Sequence, residues 1–443
     1  MAHVGKWGDN ITGMCYNKNE QSGKLEFAII PLYLYINSIA PQHFTGKHDH
    51  LYREERVFEM SGTRPIMIRS FLPVGQGAFY LEQFRNGKEK INVIYDCGSG
   101  TDINLVNKQI DDAFEPGETV HAVFISHLHE DHVNGLPHLL KRCRVQRLFF
   151  PLLTEESKIL LILQYLSNGK GDESDFVPSF IQDPKKTLEG FADPEHPTTL
   201  YPVLPNNDEG HEQPEPDSPE GIPVEPVKSG RPVESIIGIS VKEWRYIPFN
   251  FCEKNRRAIL EAQLIKIFGP SCSPKDLLDE YRRDPHTTGK RLESAYRAVP
   301  GGFNANSLVL FSGCDELRIM QCAVGNRRGP YCPCKTYLPN GCLYTGDYEA
   351  AGAHKWKELE DAYKDYFDNI GCLQIPHHGA RYNFNIKFLH FPNCELYIAS
   401  AGYCNRYRHP HSSVIRDILA YGKHPIIVNE HPGSAFYLCV FLR

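Results

Sequence analysis

Short runs of β-branched and aromatic residues, each ending at a glycine or a polar turn, mark the predicted strands of residues 66–150. These runs are Ile66–Leu72, Phe79–Gln83, Ile91–Tyr95, His121–Ser126 and Val145–Phe150. The Asn86-Gly87 pair predicts a tight hairpin turn between the second and third runs. Helical patterns over 102–113 and 136–143 separate the later runs. This order of elements predicts half of an α/β sandwich.

The same pattern returns after residue 300 and continues to the end of the chain. Its predicted strands are Asn306–Phe311, Gly341–Thr345, Cys372–Ile375, Glu395–Ser400, Pro425–Asn429 and Ala435–Leu442. Two helical patterns, over Lys355–Asn369 and Ser412–Tyr421, lie between these runs. We therefore predict that residues 61–150 and 301–443 form one domain.

Residues 151–300 break this regularity, and we predict that they form an insertion. From about 183 to 232 the chain is rich in proline and acidic residues and poor in large apolar ones. Such a segment cannot bury enough surface to offset its chain entropy, so we predict that it is mobile. A helical lobe is predicted at about 253–299. The predicted helices are Glu155–Leu166, Glu253–Phe268, Pro274–Arg283 and Lys290–Val299. Residues 1–60 are assigned to an N-terminal extension of unknown role.

Composition allows a packed core and limits how the chain can bind nucleic acid. Of its 443 residues, 41% are apolar, which is enough for a large domain. The formal net charge of −6 excludes a global basic field, so any contact with nucleic acid needs a local patch. The predicted helical lobe offers the best local candidate, although a solvated helix face is the more ordinary interpretation. Its basic residues are Arg256, Arg257, Arg282, Arg283, Lys290 and Arg291.

Cysteine usage and the N-terminal sequence predict a cytoplasmic protein with reduced thiols. The 14 cysteines form no compact disulfide framework. The N-terminus lacks the features of a secretion signal. The apolar stretch Phe27–Ile36 is shorter than the ~20 residues that span a bilayer, so no membrane contact is predicted. A Cys-Pro-Cys pair at 332–334 could hold zinc with its neighbours, but its spacing matches no standard knuckle and free thiols are favoured.

The most informative stretch is Ser126–Gly135, where a buried strand ends in a turn that contains three histidines and two acids. His127 and His129 are two residues apart, so on an extended backbone they point to the same side. Asp131 and His132 follow where the chain should turn into a helix, and they can face a second point nearby. Nitrogen and oxygen ligands of this kind suit zinc, manganese or iron rather than calcium.

Further ligand-type side chains stand at the ends of other strands. Asp347 follows a glycine after one predicted strand, and the pair His377-His378 follows the next. Gln76 lies between two glycines that permit a tight turn and close approach of the backbone to a ligand. Asp96, beside a glycine at a strand end, is either an acid that supports the site or a turn residue.

Together these motifs resemble the metallo-β-lactamase superfamily, and more closely the hydrolase domain of the bacterial DNA-uptake channel protein ComEC and its soluble relatives. The shared motifs are Val74–Gly77, Asp96–Gly98, His127–His132, a looser match at Asn304–Leu310, Thr345–Asp347, Pro376–Gly379 and Asn405–Pro410. The resemblance covers about 66–150 and 301–443. It implies an α/β fold, the αββα sandwich of this superfamily, in which helices flank two mixed sheets, here with a long, partly helical insertion.

The resemblance implies a site for two divalent ions, zinc or manganese. The implied ligands are His127 and His129 for the first ion, Asp131, His132 and either His377 or His378 for the second, and Asp347 as a bridge. Such a pair of ions activates a water molecule and stabilises the charge that develops at a phosphoryl centre.

Catalytic roles follow from the same resemblance. Asp131 would orient the nucleophilic water, and the spare histidine of the 377–378 pair, such as His378, or His409 would donate a proton to the leaving oxygen. Residues that support the site or bind substrate would be Asp96, Gln76, Ser307, Asn405 and Tyr407.

One ligand that the superfamily usually supplies is missing between the first motif and the bridging aspartate. The histidines in this interval are His138, His196, His211 and His286. His138 lies on the helix that follows the motif, and we interpret it as structural. The first ion site is therefore predicted to be open or weak, or to be completed by a residue such as His409.

The leading hypothesis is a metal-dependent hydrolase that acts as a phosphodiesterase or nuclease on DNA or another nucleic acid. A second hypothesis is hydrolysis of a small ester, lactone or phosphocholine-type substrate, with the insertion as a lid. A third is a non-enzymatic, metal-stabilised module that binds a protein partner through residues 151–300. The presence of every core acid argues against the third.

Overall fold

The strands of the structure follow most of the predicted apolar runs. The computed structural model describes residues 66–86, 89–167, 175–191, 195–206, 222–238, 244–251, 254–270, 273–298, 307–314, 320–323 and 338–441. The predicted extension 1–60, the turn residue Gly87, His211 and the Cys-Pro-Cys pair lie outside these residues. In chain order the strands are β1 (Ile66–Phe71), β2 (Gly77–Asn86), β3 (Glu89–Ser99), β4 (Thr119–Val120), β5 (Ala122–Phe124), β6 (Arg144–Val145), β7 (Arg147–Pro151), β8 (Thr199–Leu204), β9 (Val227–Lys228), β10 (Trp244–Asn250), β11 (Leu308–Cys314), β12 (Met320–Ala323), β13 (Gly341–Tyr344), β14 (Ile370–Gln374), β15 (Leu396–Ser400), β16 (His424–Val428) and β17 (Phe436–Phe441).

Fifteen of these strands form two mixed sheets in the described part of the chain, and β4 and β6 form a separate two-stranded sheet. The larger sheet has the order β12-β17-β1-β2-β3-β5-β7-β8-β9, and the smaller has the order β10-β11-β13-β14-β15-β16. The predicted hairpin is the antiparallel pair β2–β3, in which Tyr80 lies opposite Tyr95. From β3 onward the larger sheet continues with parallel pairs, beginning with β3–β5. The carboxyl ends of these parallel strands therefore point the same way, which gathers the turns that follow them.

Helices flank both sheets. In chain order they are α1 (Ile103–Ala113), α2 (Glu130–Val133), α3 (Leu136–Arg142), α4 (Glu155–Ser167), α5 (Phe176–Gln182), α6 (Pro184–Glu189), α7 (Glu234–Ile237), α8 (Lys254–Phe268), α9 (Pro274–Arg283), α10 (Pro285–Arg297), α11 (Ala353–Tyr363) and α12 (Ser412–Ala420). Short 3-10 helices occupy Lys364–Asn369, His377–Gly379, Ile386–His390 and Pro432–Ser434. Helices α8 to α10 coincide with the predicted helical lobe, and Ser273 caps α9 as predicted, in a capping box with Asp276.

The two faces of the larger sheet bury different cores. In β2, Phe79 and Leu81 pack in a core with α1, α3 and the lobe helices, whereas Tyr80 and Phe84 pack in the core between the sheets. This division follows from the alternation of side chains along a strand. Because both faces are covered, the central strands read as continuous apolar runs rather than as alternating ones.

A buried ion pair joins the two sheets. Arg69 in β1 and Glu82 in β2 form a salt bridge of 2.7 Å, and both side chains are almost fully buried. Tyr344 and Ser312 of the smaller sheet donate to the Glu82 carboxylate at 2.8 and 2.7 Å. A buried charge pair whose hydrogen bonds are satisfied resists changes of packing, because loss of either partner leaves an uncompensated charge. The pair therefore fixes how the two sheets stack beneath the candidate site.

Three strands from the predicted insertion are part of the sheets. Strand β8 pairs with β7 and β9, and β10 pairs with β11 at the edge of the smaller sheet. For α6 and β8 the prediction of a mobile segment over 183–232 is wrong. Both elements bury their apolar residues against neighbours, and Asp183 caps α6. Among the described residues, no helix is long and apolar enough to cross a membrane.

Candidate metal centre

Two glycines allow the predicted turns to pack directly against the histidine motif. A β-carbon at Gly98 would lie 2.5 Å from the carbonyl carbon of Asp131, and one at Gly77 would lie 2.8 Å from the Asp131 carbonyl oxygen. Only glycine permits such close approach of two backbones. The chain turns into α2 at Glu130. Asp131 and His132 are thereby brought to the same centre as His127, which leaves the end of β5.

The other half of the site is a turn that a buried glutamine holds in place. Gln374 Oε1 accepts hydrogen bonds from the backbone N–H groups of Thr345 and Gly346, both at 2.7 Å. Gly346 has a φ of +53°, and a β-carbon there would lie 2.4 Å from Ser307 Oγ. The backbone N–H of Asp347 donates to the same Ser307 hydroxyl at 3.0 Å. Ser307, predicted as a supporting residue, thus positions Asp347.

The Asp347 carboxylate lies among four imidazoles, with two near each oxygen. Oδ1 is 3.5 Å from His132 Nε2 and 4.0 Å from His378 Nε2. Oδ2 is 3.6 Å from His127 Nε2 and 3.6 Å from His377 Nε2. A carboxylate that presents each oxygen to a separate set of nitrogens has the geometry that a bridging ligand needs.

The other nitrogen of each of these rings contacts a fixed partner. His132 Nδ1 lies 2.8 Å from Asp96 Oδ2, and His378 Nδ1 lies 2.8 Å from the Ser400 carbonyl oxygen. His127 Nδ1 lies 3.0 Å from Ser126 Oγ, and His377 Nδ1 lies 3.1 Å from Asn383 Oδ1. Partners of this kind fix the orientation of metal-binding histidines. The Nε2 atoms of His127, His129, His132 and His378 are buried and, among the described residues, have no hydrogen-bond partner. Buried polar atoms of this kind are rare, and binding of a cation explains them.

Three sets of ligand atoms lie close enough to share an ion. In each set all atoms are within 4.8 Å of one another: His127, His132 and Asp347; His127, His129 and Asp131; Asp131, His132 and His378. The last set combines three of the residues predicted for the second ion. His377 is not in these sets, and its side chain is 27% exposed. The donors are imidazole nitrogens and carboxylate oxygens, a combination that fits zinc or manganese.

The carboxylates of Asp96, Asp131 and Asp347 give this cluster its negative charge. Burial raises the pKa of Asp347, but the imidazoles of His377, His127 and His132 outweigh that effect and hold the pKa well below its usual range. Burial lowers the pKa of His132, but the carboxylates of Asp96, Asp131 and Asp347 outweigh burial and raise this pKa well above its usual value. The site therefore has a concentrated negative charge, which protons neutralise and divalent cations can neutralise in their place.

The remaining predicted residues surround this cluster. Gln76 is buried in the loop before β2, where its N–H donates to Thr101 Oγ1 at 2.8 Å. Asn405 Oδ1 accepts from the His409 N–H at 2.8 Å, so it positions the His409 loop. The His409 ring lies 5.5 Å from that of His377 and 5.7 Å from that of Tyr407. Burial and the nearby His377 and His378 lower the pKa of His409 to about 4, so at neutral pH its ring is uncharged and is a poor proton donor.

The histidines between the first motif and Asp347 do not join the cluster, among those that the structure describes. His138 Nε2 lies 3.0 Å from Asp111 Oδ1 on the neighbouring helix, which agrees with its structural interpretation. His196 lines a separate cavity with Lys141 and Arg144. His286 lies in the first turn of α10.

Sequence reasoning missed three residues that hold the ligands: Ser126, Gln374 and Asn383. Ser126 donates to Asp96 Oδ2 at 2.7 Å and contacts His127. Polar side chains at the ends of buried strands are a recognisable signal, and both Ser126 and Gln374 have that position. Asn383 has no comparable signal, because only the fold brings it to His377.

Comparison with known proteins agrees with the predicted fold. Residues 74–215 match the family model of the metallo-beta-lactamase superfamily. This range includes the histidine motif and the strands β2 to β8. The match and the two helix-flanked sheets confirm the predicted resemblance and the predicted αββα fold class. The narrower resemblance to the ComEC-type domain stays a prediction.

Individual relatives are similar over short segments or at low identity. Proteins named Ribonuclease BN from Salmonella typhi and Salmonella dublin are 49% identical over 47 residues, which are 11% of this chain and 14% of each relative. Among solved structures, the metallo-beta-lactamase fold protein YhfI from Bacillus subtilis is 10% identical with a TM-score of 0.34, with 84% of this chain and 99% of that chain covered. Yeast PDE1 is 10% identical with a TM-score of 0.36, with 86% and 100% covered.

The chain thus combines the fold of this superfamily with a buried cluster of imidazoles and carboxylates that fits divalent cations. This combination is that of a metal-dependent hydrolase.

Proposed function

We propose that this protein hydrolyses phosphodiester bonds in a nucleic acid with the help of two divalent ions, zinc or manganese. The observation that carries the proposal is the division of Asp347 between two sets of imidazoles. His132 and His378 contact one oxygen, and His127 and His377 contact the other. Two divalent ions bound there would supply Lewis acidity, which lowers the pKa of water and neutralises charge on phosphoryl oxygens.

The proposal assigns a separate role to each residue of the cluster. Asp131, His132 and His378 would hold the second ion, His127 and His129 would contribute to the first, and Asp347 would contribute to both. Burial raises the pKa of Asp131, but His132 and His378 outweigh it and keep the pKa below its usual value, so the carboxylate is ionised at neutral pH. Its side chain is 26% exposed. An ionised, accessible carboxylate can accept a hydrogen bond from the attacking water and orient it.

A phosphodiester substrate follows from the chemistry that such a site favours. Paired ions suit in-line displacement at phosphorus, where charge develops on both the attacking and the leaving oxygen. The sequence motifs resemble those of a domain that acts on DNA. The short segment shared with proteins named Ribonuclease BN adds support for a nucleic-acid substrate. A role for His409 as proton donor has less support, because its ring is uncharged at neutral pH.

The proposal is tested by cleavage assays on the purified full-length protein. Labelled single-stranded DNA, duplex DNA and RNA are incubated with Mn²⁺ or Zn²⁺, and metal content is measured on the same sample. Cleavage that is lost in Asp131→Asn, while Asp361→Asn on the exposed face of α11 remains active, is the expected result. Absence of cleavage with both ions shown to be bound would overturn the proposal.

The same preparation separates the alternative substrates. Small esters, lactones and phosphocholine-type substrates are offered in parallel with the nucleic acids. Turnover of one of these, lost in Asp131→Asn, with nucleic acid untouched, would replace the proposed substrate class. If neither group is hydrolysed by metal-loaded protein, the non-enzymatic module remains as the explanation.

A further inference from the structure

We propose that the loop of residues 402–411, here named the rim loop, binds an unpaired nucleotide of the substrate beside the metal centre. The inference rests on the proposed function and names the form of nucleic acid that the site accepts. The rim loop connects β15 to α12. It is tied to the turn of His377 and His378 by the hydrogen bond from the His411 N–H to the Gly379 carbonyl, at 2.9 Å.

A column of flat groups leads from the metal centre to the surface through this loop. The ring of His378 lies 6.3 Å from that of His409 with an interplanar angle of 24°. The His409 ring in turn lies 5.7 Å from the Tyr407 ring at 23°. The Arg406 guanidinium stands over Tyr407 at 4.8 Å and donates to its hydroxyl at 2.5 Å. The column therefore begins at a buried candidate ligand and ends at two exposed side chains.

The outer end of the column is unusually exposed for aromatic residues. Among large hydrophobic side chains of the described residues, the three most exposed are Tyr382 (80%), Tyr403 (62%) and Tyr407 (54%). Two of them belong to the rim loop, and Tyr382 follows the turn of His377 and His378. Single exposed hydrophobics are ordinary, but a concentration beside a candidate active site indicates a binding surface.

The rim loop also presents positive charge that no acid of the described residues neutralises. Arg406 and Arg408 are exposed and form no ion pair with a carboxylate of the described residues. The loop conformation is fixed from within, since Asn405 Nδ2 donates to the Gly402 carbonyl at 2.7 Å. Glu430 also contacts the loop backbone, where its carboxylate accepts from the Tyr403 N–H at 2.8 Å.

Two arginines of the helical lobe, which the sequence offered as the phosphate-facing candidate, are paired with acids instead. Arg282 pairs with Asp279 at 3.0 Å, and Arg291 pairs with Glu280 at 2.8 Å. Arg406 and Arg408 differ from these two arginines, and they lie on the loop that contacts the turn of His377 and His378.

An unpaired nucleotide is the occupant that fits this surface. Tyrosine rings and guanidinium planes bind bases by stacking, and arginine contacts the phosphates. In a duplex the faces of the bases are covered by their neighbours, so only an unpaired base can stack at the outer end of the column, which Arg406 and Tyr407 form. Binding there would place the neighbouring phosphates over the metal centre at the inner end of the column.

The test compares binding of labelled single-stranded DNA with that of the fully paired duplex of the same sequence. Fluorescence anisotropy is measured in chelator, so that nothing is cleaved. Tyr407→Ala is expected to weaken single-strand binding about 10-fold or more, the contribution of one stacked base, and to change duplex binding much less. Tyr407→Phe, which keeps the ring, is expected to retain affinity. Replacement of Arg406 by alanine should reduce the salt dependence of binding by about one phosphate contact.

Two matched controls separate the rim loop from general surface effects. Tyr421→Ala removes another exposed tyrosine, and Arg282→Ala removes a lobe arginine; both should bind as the wild type does. Metal content and thermal unfolding of every variant confirm that the centre and the fold are intact. Binding of an RNA oligonucleotide of the same sequence shows whether the 2′-hydroxyl changes the affinity.

Failure of this inference is distinguishable from failure of the proposed function. Hydrolysis of bis(p-nitrophenyl) phosphate and of oligonucleotides by the wild type tests the proposed function alone. The stacking inference is overturned if both are hydrolysed but Tyr407→Ala binds single strands as tightly as the wild type. It is also overturned if Tyr407→Ala weakens the binding of single strands and of duplex equally.

Discussion

The two sides of the Asp347 carboxylate are built differently. On the side of Oδ1, here named the second-ion side, the His132 and His378 side chains are 2% and 4% exposed. Their Nδ1 atoms contact the buried Asp96 carboxylate and the Ser400 carbonyl. On the side of Oδ2, here named the first-ion side, His127 is 6% exposed, but His377 is 27% exposed and its Nδ1 contacts a neutral amide, that of Asn383.

The Asp131 carboxylate adds charge to the second-ion side. Its Oδ2 is 3.3 Å from His378 Nε2, and Asp131 also lies within 4.8 Å of the ligand atoms of His127 and His129. The first-ion side depends more on the shared Asp347, and His129 makes no side-chain hydrogen bond among the described residues. Anchored, negatively charged ligands bind divalent cations more tightly than mobile, neutral ones. We therefore expect the second-ion side to retain its ion under conditions that empty the first-ion side.

The largest effect is expected for Asp347→Asn, which removes the charge that the two sides share and keeps the shape of the side chain. Both ions should be lost, and hydrolysis should fall by at least about 1,000-fold, well beyond the ~10–100-fold of an outer partner. Elemental analysis after gel filtration gives the metal content. Asp361→Asn, an isosteric change on the exposed face of α11, is the control. Two ions retained per chain in Asp347→Asn would show that the carboxylate is not shared.

A direct comparison of the two sides comes from His378→Ala and His129→Ala. Loss of His378 should remove the tightly bound ion and reduce activity about 100-fold or more, because an anchored ligand beside Asp131 is lost. Loss of His129 should leave one ion per chain and reduce activity less. Zinc titration with a chelating indicator measures both affinities. The opposite order, with His129→Ala causing the greater loss of metal, would reverse the assignment of the stronger side.

The anchor itself can be weakened without touching a ligand. Asp96→Asn keeps the size of the side chain but removes the carboxylate that is 2.8 Å from His132 Nδ1. Metal affinity of the second-ion side should fall about 10–100-fold, as is usual for such partners. Competition with a chelator measures it. Asp102→Asn, which preserves the cap of α1, is the matched control. Unchanged affinity in Asp96→Asn would mean that Asp96 is only a turn residue, the alternative that its sequence position also allowed.

The sequence showed most of the cluster through motifs at strand ends. Asp131, His132 and Asp96 stand in recognisable motifs at strand ends, where the hydrophobic pattern stops and a polar turn begins.

Strands β8 and β10 were not predicted because each contains a proline, Pro202 and Pro248. Proline is tolerated where a strand lies at or near the edge of a sheet, but it interrupts the pattern that predicts a strand. Edge positions depend on pairing across the fold, which local sequence does not show.

The first-ion side depends on a contact between side chains that only the folded turn brings together, that of His377 with Asn383. His377 was one of two equivalent candidates in the sequence, since a His-His pair does not show which ring turns toward which oxygen. In the structure both residues have positive φ, +49° and +56°, and their rings diverge to separate oxygens of Asp347. The neighbouring Asn383 sets the direction of the His377 ring through a contact that arises only when the turn has folded.

The smallest effect is therefore expected for Asn383→Ala, which releases the His377 ring and leaves every candidate ligand in place. A freed side chain can still reach an ion, so the affinity of the first-ion side should fall by about 10-fold or less, and that of the second-ion side should change little. Titration of both sites with zinc measures the ratio of the two affinities. Asn383 also donates to the Asp347 carbonyl at 2.9 Å, a bond that serves both sides equally. Equal weakening of the two ions would assign the residue to the Asp347 turn, whereas selective weakening of the first-ion side would show that His377 contributes to that ion.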